Sequence, residues 1–320
     1  MKKMFKLQWL SVLMLALVLV GCGAKEDTNK ETASKEDQQV EKTSYKVKDD
    51  RGVEVEFAAV PKTIVSLQPS NTEILFALGV GDNIVGATEF DTYPEEAQKI
   101  ERVSNSTIFN SERILALKPD VVIAYTTGGD EENLNALKGL EDAGIKVFAI
   151  QSAKSFDDVY GDIEQIATVM GIKDKGDKLN ADIKAKIVEV QEKVKDVKKQ
   201  KNIYLEISPK PVIYTAGSDT FQQEILNAAH VNNVFADLES WAQVSEEDVI
   251  AKNPEVILTT VDNVKNSAEE ILSRDGWNSI TAIQNKAVYY IDTDISNRPG
   301  PRIGEAVELI AKAVYPESFK

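Results

Sequence analysis

A single cysteine, Cys22, and a single histidine, His230, limit the chemistry open to this chain of 320 residues. No disulfide can form within it and no thiolate cluster can hold a metal. A multi-histidine zinc site fails on the same count, and a Ser-His or Cys-His nucleophile would depend on His230 alone. The 52 acidic residues could in principle supply a glycosidase-like carboxylate pair, but most are spread over helical and tether segments as solvated faces. Neither a nucleophile motif nor a phosphate loop is present, so no catalytic residue, metal site or cofactor is expected. Recognition is left to aromatic and polar side chains. Phe90 follows the β-rich run Ile84–Thr88, Tyr125 closes the run Asp120–Tyr125, Tyr214 lies in the second half of the chain, and Trp241 precedes a helix start at Ser245. Gln68, Ser70 and Asn71 stand at a strand-to-helix turn. Flat rings suit a broad apolar ligand face and amides suit its edge. The alternative for each aromatic is half-buried core, and for Asn71 a helix cap alone.

The elements that would carry these groups begin after a leader. Lys2, Lys3 and Lys6 precede an apolar run from Leu7 to Val20 broken only by Gln8 and Ser11. Fourteen residues at ~1.5 Å rise reach about 21 Å, short of a hydrocarbon core of about 30 Å. The layout is that of a signal peptide over residues 1–21. Leu19-Val20-Gly21-Cys22 resembles a lipobox, in which the thiol takes a diacylglycerol before cleavage. Cys22 is therefore the expected lipidation site and anchor to the membrane's extracytoplasmic face. Residues 22–44 lack any aromatic and mix both charges, as a flexible tether does; twenty such residues span an r.m.s. of about 25 Å. A net charge of −15, made more negative by loss of the leader's lysines, argues against nucleic acid as a partner.

Beyond the tether, Tyr45 to Phe57 alternates around Asp49-Asp50-Arg51-Gly52, a hairpin signal. Short runs then alternate with helical stretches: Ile64–Leu67, Ile84–Thr88, Val121–Tyr125 and Val147–Ile150, and later Ile203–Ile207, Val256–Thr260 and Val288–Ile291. This is the pattern of α/β lobes with parallel sheets covered on both faces. Between the two sets, Leu179, Ile183, Ile187, Val190, Val194 and Val197 form one narrow apolar seam. The reading is two Rossmann-like lobes, residues 45–172 and 201–320, joined by one long helix over 173–200 that packs along both.

The halves echo each other. Glu73-Ile74-Leu75-Phe76-Ala77-Leu78-Gly79-Val80 reads against Glu224-Ile225-Leu226-Asn227-Ala228-Ala229-His230-Val231, identical at five of eight positions. Glu112 through Val121 reads against Glu247 through Val256, each with a proline stop before a buried strand. Two echoes in one order imply lobes related by a pseudo-twofold with a cleft between them. His230 takes the place of Gly79 just past a helix, where a left-handed C-cap is expected, so a structural role suits it better than metal ligation.

Several stretches carry a resemblance. Ser66 through Glu73, Tyr93 through Lys99, Glu112 through Asp120, Trp241 through Ser245 and Arg298-Pro299-Gly300-Pro301-Arg302 resemble the substrate-binding proteins of ABC importers for cobalamin and ferric siderophores. The Tyr-Pro-x-x-Ala-Gln-Lys and Trp-x-Gln-Val-Ser motifs are most similar to the cobalamin binders. The resemblance implies two lobes on one connecting helix, a monomer that binds cobalamin or another corrinoid, and delivery to a permease and its ATPase. A ferric siderophore or haem is the alternative ligand. It also implies that Gln68, Ser70, Asn71, Phe90, Tyr125, Tyr214 and Trp241 face the ligand. Asp294 and Arg298 match a polar pair at the cleft edge, although a loop-stabilising ion pair explains them equally well. Glu112 and Glu247, at equivalent points of the two lobes, match the pair that docks onto permease arginines. Where similar cobalamin binders carry a tryptophan between Val103-Ser104 and Asn110, this chain has Ser106 and Phe109, which makes the pocket less aromatic.

Overall fold

The computed structural model describes residues 44–105, 108–126 and 131–320. The leader, Cys22, all but the last residue of the expected tether, and Ser106 lie outside them. The described residues fall within one compact unit. It opens with a hairpin of β1 (Tyr45–Lys48) and β2 (Glu54–Phe57). Val47, Val55 and Phe57 point inward by strand alternation. The Asp49 carboxylate accepts from the backbone N–H of Arg51 and Val53, which closes the turn.

The N-terminal lobe follows as β3 (Ile64–Ser66), α1 (Pro69–Ala77), β4 (Ile84–Thr88), β5 (Arg102–Asn105), β6 (Ile108–Phe109), α2 (Ser111–Leu117), β7 (Val121–Thr126), α3 (Glu131–Asp142), β8 (Val147–Gln151) and α4 (Phe156–Val169). Its sheet runs β6-β5-β4-β3-β7-β8, parallel apart from β6. Val121 to Ala124 are fully buried, as a parallel strand covered on both faces requires.

Next comes α5 (Lys173–Val194), and then the C-terminal lobe: β9 (Asn202–Glu206), β10 (Tyr214–Ala216), α6 (Phe221–Ala228), β11 (Asn232–Asn233), β12 (Trp241–Gln243), α7 (Glu246–Lys252), β13 (Val256–Thr259), α8 (Ser267–Leu272), α9 (Thr281–Gln284), β14 (Val288–Tyr290), α10 (Thr293–Asn297) and α11 (Ile303–Val314). Its sheet runs β11-β9-β13-β14, all parallel, and β10 pairs with β12 in a separate antiparallel ribbon.

The order β4-β3-β7-β8 in one lobe and β11-β9-β13-β14 in the other is the same order, so α1 corresponds to α6, α2 to α7 and α4 to α11. The caps repeat as well. Lys118 and Asn253 both close their helices in the left-handed region, at φ 49° and 43°. Gly79 and His230 do the same at φ 77° and 60°. The His230 ring is engaged locally, Nε2 lying 3.1 Å from the Val197 carbonyl and Nδ1 3.3 Å from Gln200 Nε2. The carbonyl can only accept, so Nε2–H is the donor to it.

The connecting helix ends at Val194 rather than residue 200, because past it only Val197 remains to be buried and the chain must turn into β9. Ile183, Ile187, Val190 and Val194 are buried along it. The helix packs on both α4 and α11, the last helices of the two lobes. One hydrophobic core therefore runs through the inner faces of both sheets by way of α5, while a separate cluster fills the outer face of each lobe.

Candidate ligand cleft

Ligand groups on parallel sheets belong at the strands' C-terminal ends, where the loops are free to vary. Phe90 sits just past β4 in a turn built by its neighbours. Its backbone N–H reaches Thr88 Oγ1 at 3.2 Å, while the buried Asp91 carboxylate accepts from Thr88 N at 2.8 Å and from the Thr88 hydroxyl. Burial pushes the Asp91 carboxyl above its ordinary range, against the lowering effect of those bonds. Arg102 ties the same turn through the carbonyls of Thr88 and Asp91. So held, the Phe90 side chain is left 52% exposed.

Tyr125 is half-buried near the end of β7. Tyr214 and Trp241 share the β10–β12 ribbon, in which Tyr214 pairs with Gln243 and Ala216 with Trp241. Trp241 stays 37% exposed, its indole N–H donating to the buried Gln222 amide at 3.3 Å. Gln68 is half-buried before α1, its carbonyl accepting from Thr72 N and Ser66 Oγ. Ser70 and Asn71 are buried more deeply than open ligand groups would be. The Gly300 backbone packs on Ser70, at 3.7 Å from the place a side chain would start, and the buried Asn71 Nδ2 has no hydrogen-bond partner among the described residues.

Asp294 and Arg298 do form an ion pair, at 2.6 Å across α10, a short helix that the sequence pattern did not show. The pair faces the other lobe. Arg298 Nη2 donates to the Phe90 carbonyl and to Thr92 Oγ1, each at 2.8 Å, and Thr92 Oγ1 donates to Asp294 at 2.6 Å. Arg298 Nη1 reaches Glu73 at 3.0 Å. Arg302 binds the same carboxylate at 2.6 and 2.8 Å and stacks its guanidinium 4.0 Å from the Tyr93 ring centroid. Sequence reasoning missed Glu73, Thr92 and Arg302 as a cluster. Its trace was a glutamate in a helix otherwise made for burial, since a buried carboxylate requires a cation.

Glu112 and Glu247 occupy the first turns of α2 and α7, both exposed, behind the capping residues Asn110 and Ser245. Neither takes an ion pair among the described residues. No group of three or more His, Cys, Asp or Glu among the described residues is placed to hold a metal ion. None of their helices is long and apolar enough to cross a membrane.

A family model described as periplasmic binding protein matches residues 64–295. A Bacillus subtilis protein named as an uncharacterized ABC transporter substrate-binding lipoprotein, YvrC, is 41% identical over 314 residues, 98% of either chain. The chain belongs to the periplasmic binding protein family. Among other relatives, the vitamin B12-binding protein of Vibrio parahaemolyticus is 33% identical over 250 residues, covering 76% of this chain and 86% of its own. A solved periplasmic solute-binding protein from Staphylococcus epidermidis, described as possible iron-binding, superposes with TM-score 0.72 at 32% identity over 80% of this chain and 99% of that one. The two-lobe architecture is that of the periplasmic binding proteins.

Proposed function

We propose that this chain is the substrate-binding lipoprotein of an ABC importer, anchored through Cys22, and that it binds cobalamin or a related corrinoid between its lobes for delivery to a permease and its ATPase. The observation that carries the corrinoid reading is the set of part-exposed rings on both lobes, Phe90 and Tyr125 on one and Tyr214 and Trp241 on the other. A corrin is a broad, mostly apolar disc, and part-exposed rings on both lobes are side chains suited to flank its faces. The vitamin B12-binding relative, at 33% identity, supports the same ligand class. A ferric siderophore or haem is the second reading, favoured by the iron-binding description of the Staphylococcus epidermidis structure.

Titrating the purified protein with cyanocobalamin, cobinamide, haemin and a panel of ferric siderophores separates the two. Tight, saturable binding of the corrinoids supports the first reading; tight binding confined to an iron chelate replaces it with the second. The anchor has its own test. Cys22→Ala should release unlipidated protein into the medium or leave it uncleaved at the membrane, and a fatty-acid label that never appears on wild-type protein would remove the lipoprotein assignment.

A further inference from the structure

The helices that correspond under the pseudo-twofold also exchange contacts across it. Glu73 lies on α1 and Glu224 at the equivalent point of α6, the first position of the echoed octapeptide. Each reaches the start of the other lobe's last helix. Glu73, 2% exposed, accepts from Arg302, the residue that leads into α11, and from Arg298 just before it. Glu224 accepts from the backbone N–H of Phe156, the first residue of α4. A carboxylate is favoured at a helix N-terminus by its unpaired N–H groups and the positive end of the dipole. Bare backbone meets that need at α4, whereas arginine side chains supply the cation at α11.

We infer that Glu73 and Glu224 are a pseudo-symmetric pair of cross-lobe braces that set the separation of the lobes, and that Glu73, acting through Arg298, also fixes the turn carrying Phe90. The second part follows from the sharing of one guanidinium. Arg298 spends Nη1 on Glu73 and Nη2 on the Phe90 carbonyl and Thr92, so the N-terminal lobe's exposed ring is held by a C-terminal arginine whose position depends on a buried carboxylate. Thr92 and Asp294 close the loop at 2.6 Å. Glu73 and Arg298 are positioning residues on this reading, and lobe opening must loosen the Phe90 turn at the same time.

Hydrogen exchange measured by mass spectrometry on the full-length protein in detergent tests the inference without any ligand. Glu73→Gln keeps shape and removes charge. It should speed exchange about tenfold or more in peptides over 88–93 and 298–304, the factor expected when a local opening becomes easier by about 1.4 kcal/mol. Peptides over 155–160 should stay close to wild type. Glu224→Ala, which removes the acceptor that a glutamine would keep, should show the reverse pattern. The double variant should show both and enlarge the radius of gyration in small-angle scattering. Exchange that is unchanged in both single variants, or that rises evenly along the whole chain, overturns the inference, because ordinary core residues would give one of those results. Should Glu73→Gln not fold, Arg302→Lys retains the cation while losing the two-pronged bond. It must then show the local pattern at 298–304 and 88–93, and an even or absent change overturns the brace.

Discussion

Trp241 and Trp277 differ in what their surroundings leave free. Trp241 keeps 37% of its surface open with its N–H on Gln222, whereas Trp277 is fully buried, its N–H on Glu246 at 2.8 Å and the Arg274 guanidinium 4.7 Å from its ring centroid. Burying one large ring against a ligand is worth about 1.5–3 kcal/mol, so Trp241→Ala should weaken cyanocobalamin binding roughly ten- to a hundred-fold by calorimetry. Trp277→Phe is the fitting control, since alanine there would leave a cavity in the core. It should keep affinity and, in protein cleaved of the leader that carries Trp9, isolate the fluorescence of Trp241 for quenching. A second residue makes stability depend on pH. Burial, with Asp50 and Asp158 adding repulsion, pushes the Asp162 carboxyl up to about 8. Because the folded value lies above the unfolded one, the native state holds a proton that the unfolded chain gives up, and stability is lost as pH rises from about 4 to 8. Denaturant unfolding of Asp162→Asn should show the variant gaining on wild type by about 1–3 kcal/mol between pH 5 and pH 8. A constant difference across that window would remove Asp162 as the cause.

At the level of elements, α2 and α7 are short, capped helices that place Glu112 and Glu247 on exposed first turns of corresponding segments. An acidic first turn is favourable in any helix, so position alone does not assign a role. Reversing both charges to lysine distinguishes the cases. Transport of labelled cyanocobalamin by cells should fall to background while the purified variant binds within a few-fold of wild type, the outcome expected of residues that meet a permease. A collapse of affinity would instead move them into the pocket or the fold. Stability should drop only by about 0.3–1 kcal/mol per helix from the lost dipole interaction.

For the whole molecule, the continuity of the core is the governing fact. Residues of both inner sheet faces, with Ile183, Ile187, Val190 and Val194 of α5, form one cluster, so neither lobe can expose its inner face without stripping the other's support. Unfolding should therefore be a single transition. Far-ultraviolet circular dichroism, which reports both lobes, and the fluorescence of Trp241 and Trp277, which both lie in the C-terminal lobe, should give coincident midpoints in the protein without its leader. Two separated transitions would show that the lobes are independent domains on a passive connector.

Periodicity and the internal echo were enough to establish the α/β class, the paired lobes, the connecting helix and the left-handed place of His230, because each depends on local pattern: alternation, a 3.6-residue seam, or a cap whose backbone geometry only some residues accept. Element ends moved by a residue or more, and the small pieces β6, β10, β11, β12 and α10 escaped, since segments of two to five residues carry too little periodic signal. The cross-lobe cluster was beyond such reading. Glu73 and Arg302 are 229 positions apart in sequence, and nothing in either segment names its partner. Only the packing of α1 against the start of α11 decided that Arg298, which the sequence placed at a cleft edge, also joins the lobes. That is the general division here: what a residue can do by itself and with its near neighbours is written in the chain, while which charges meet in the interior follows from how the two sheets close on α5.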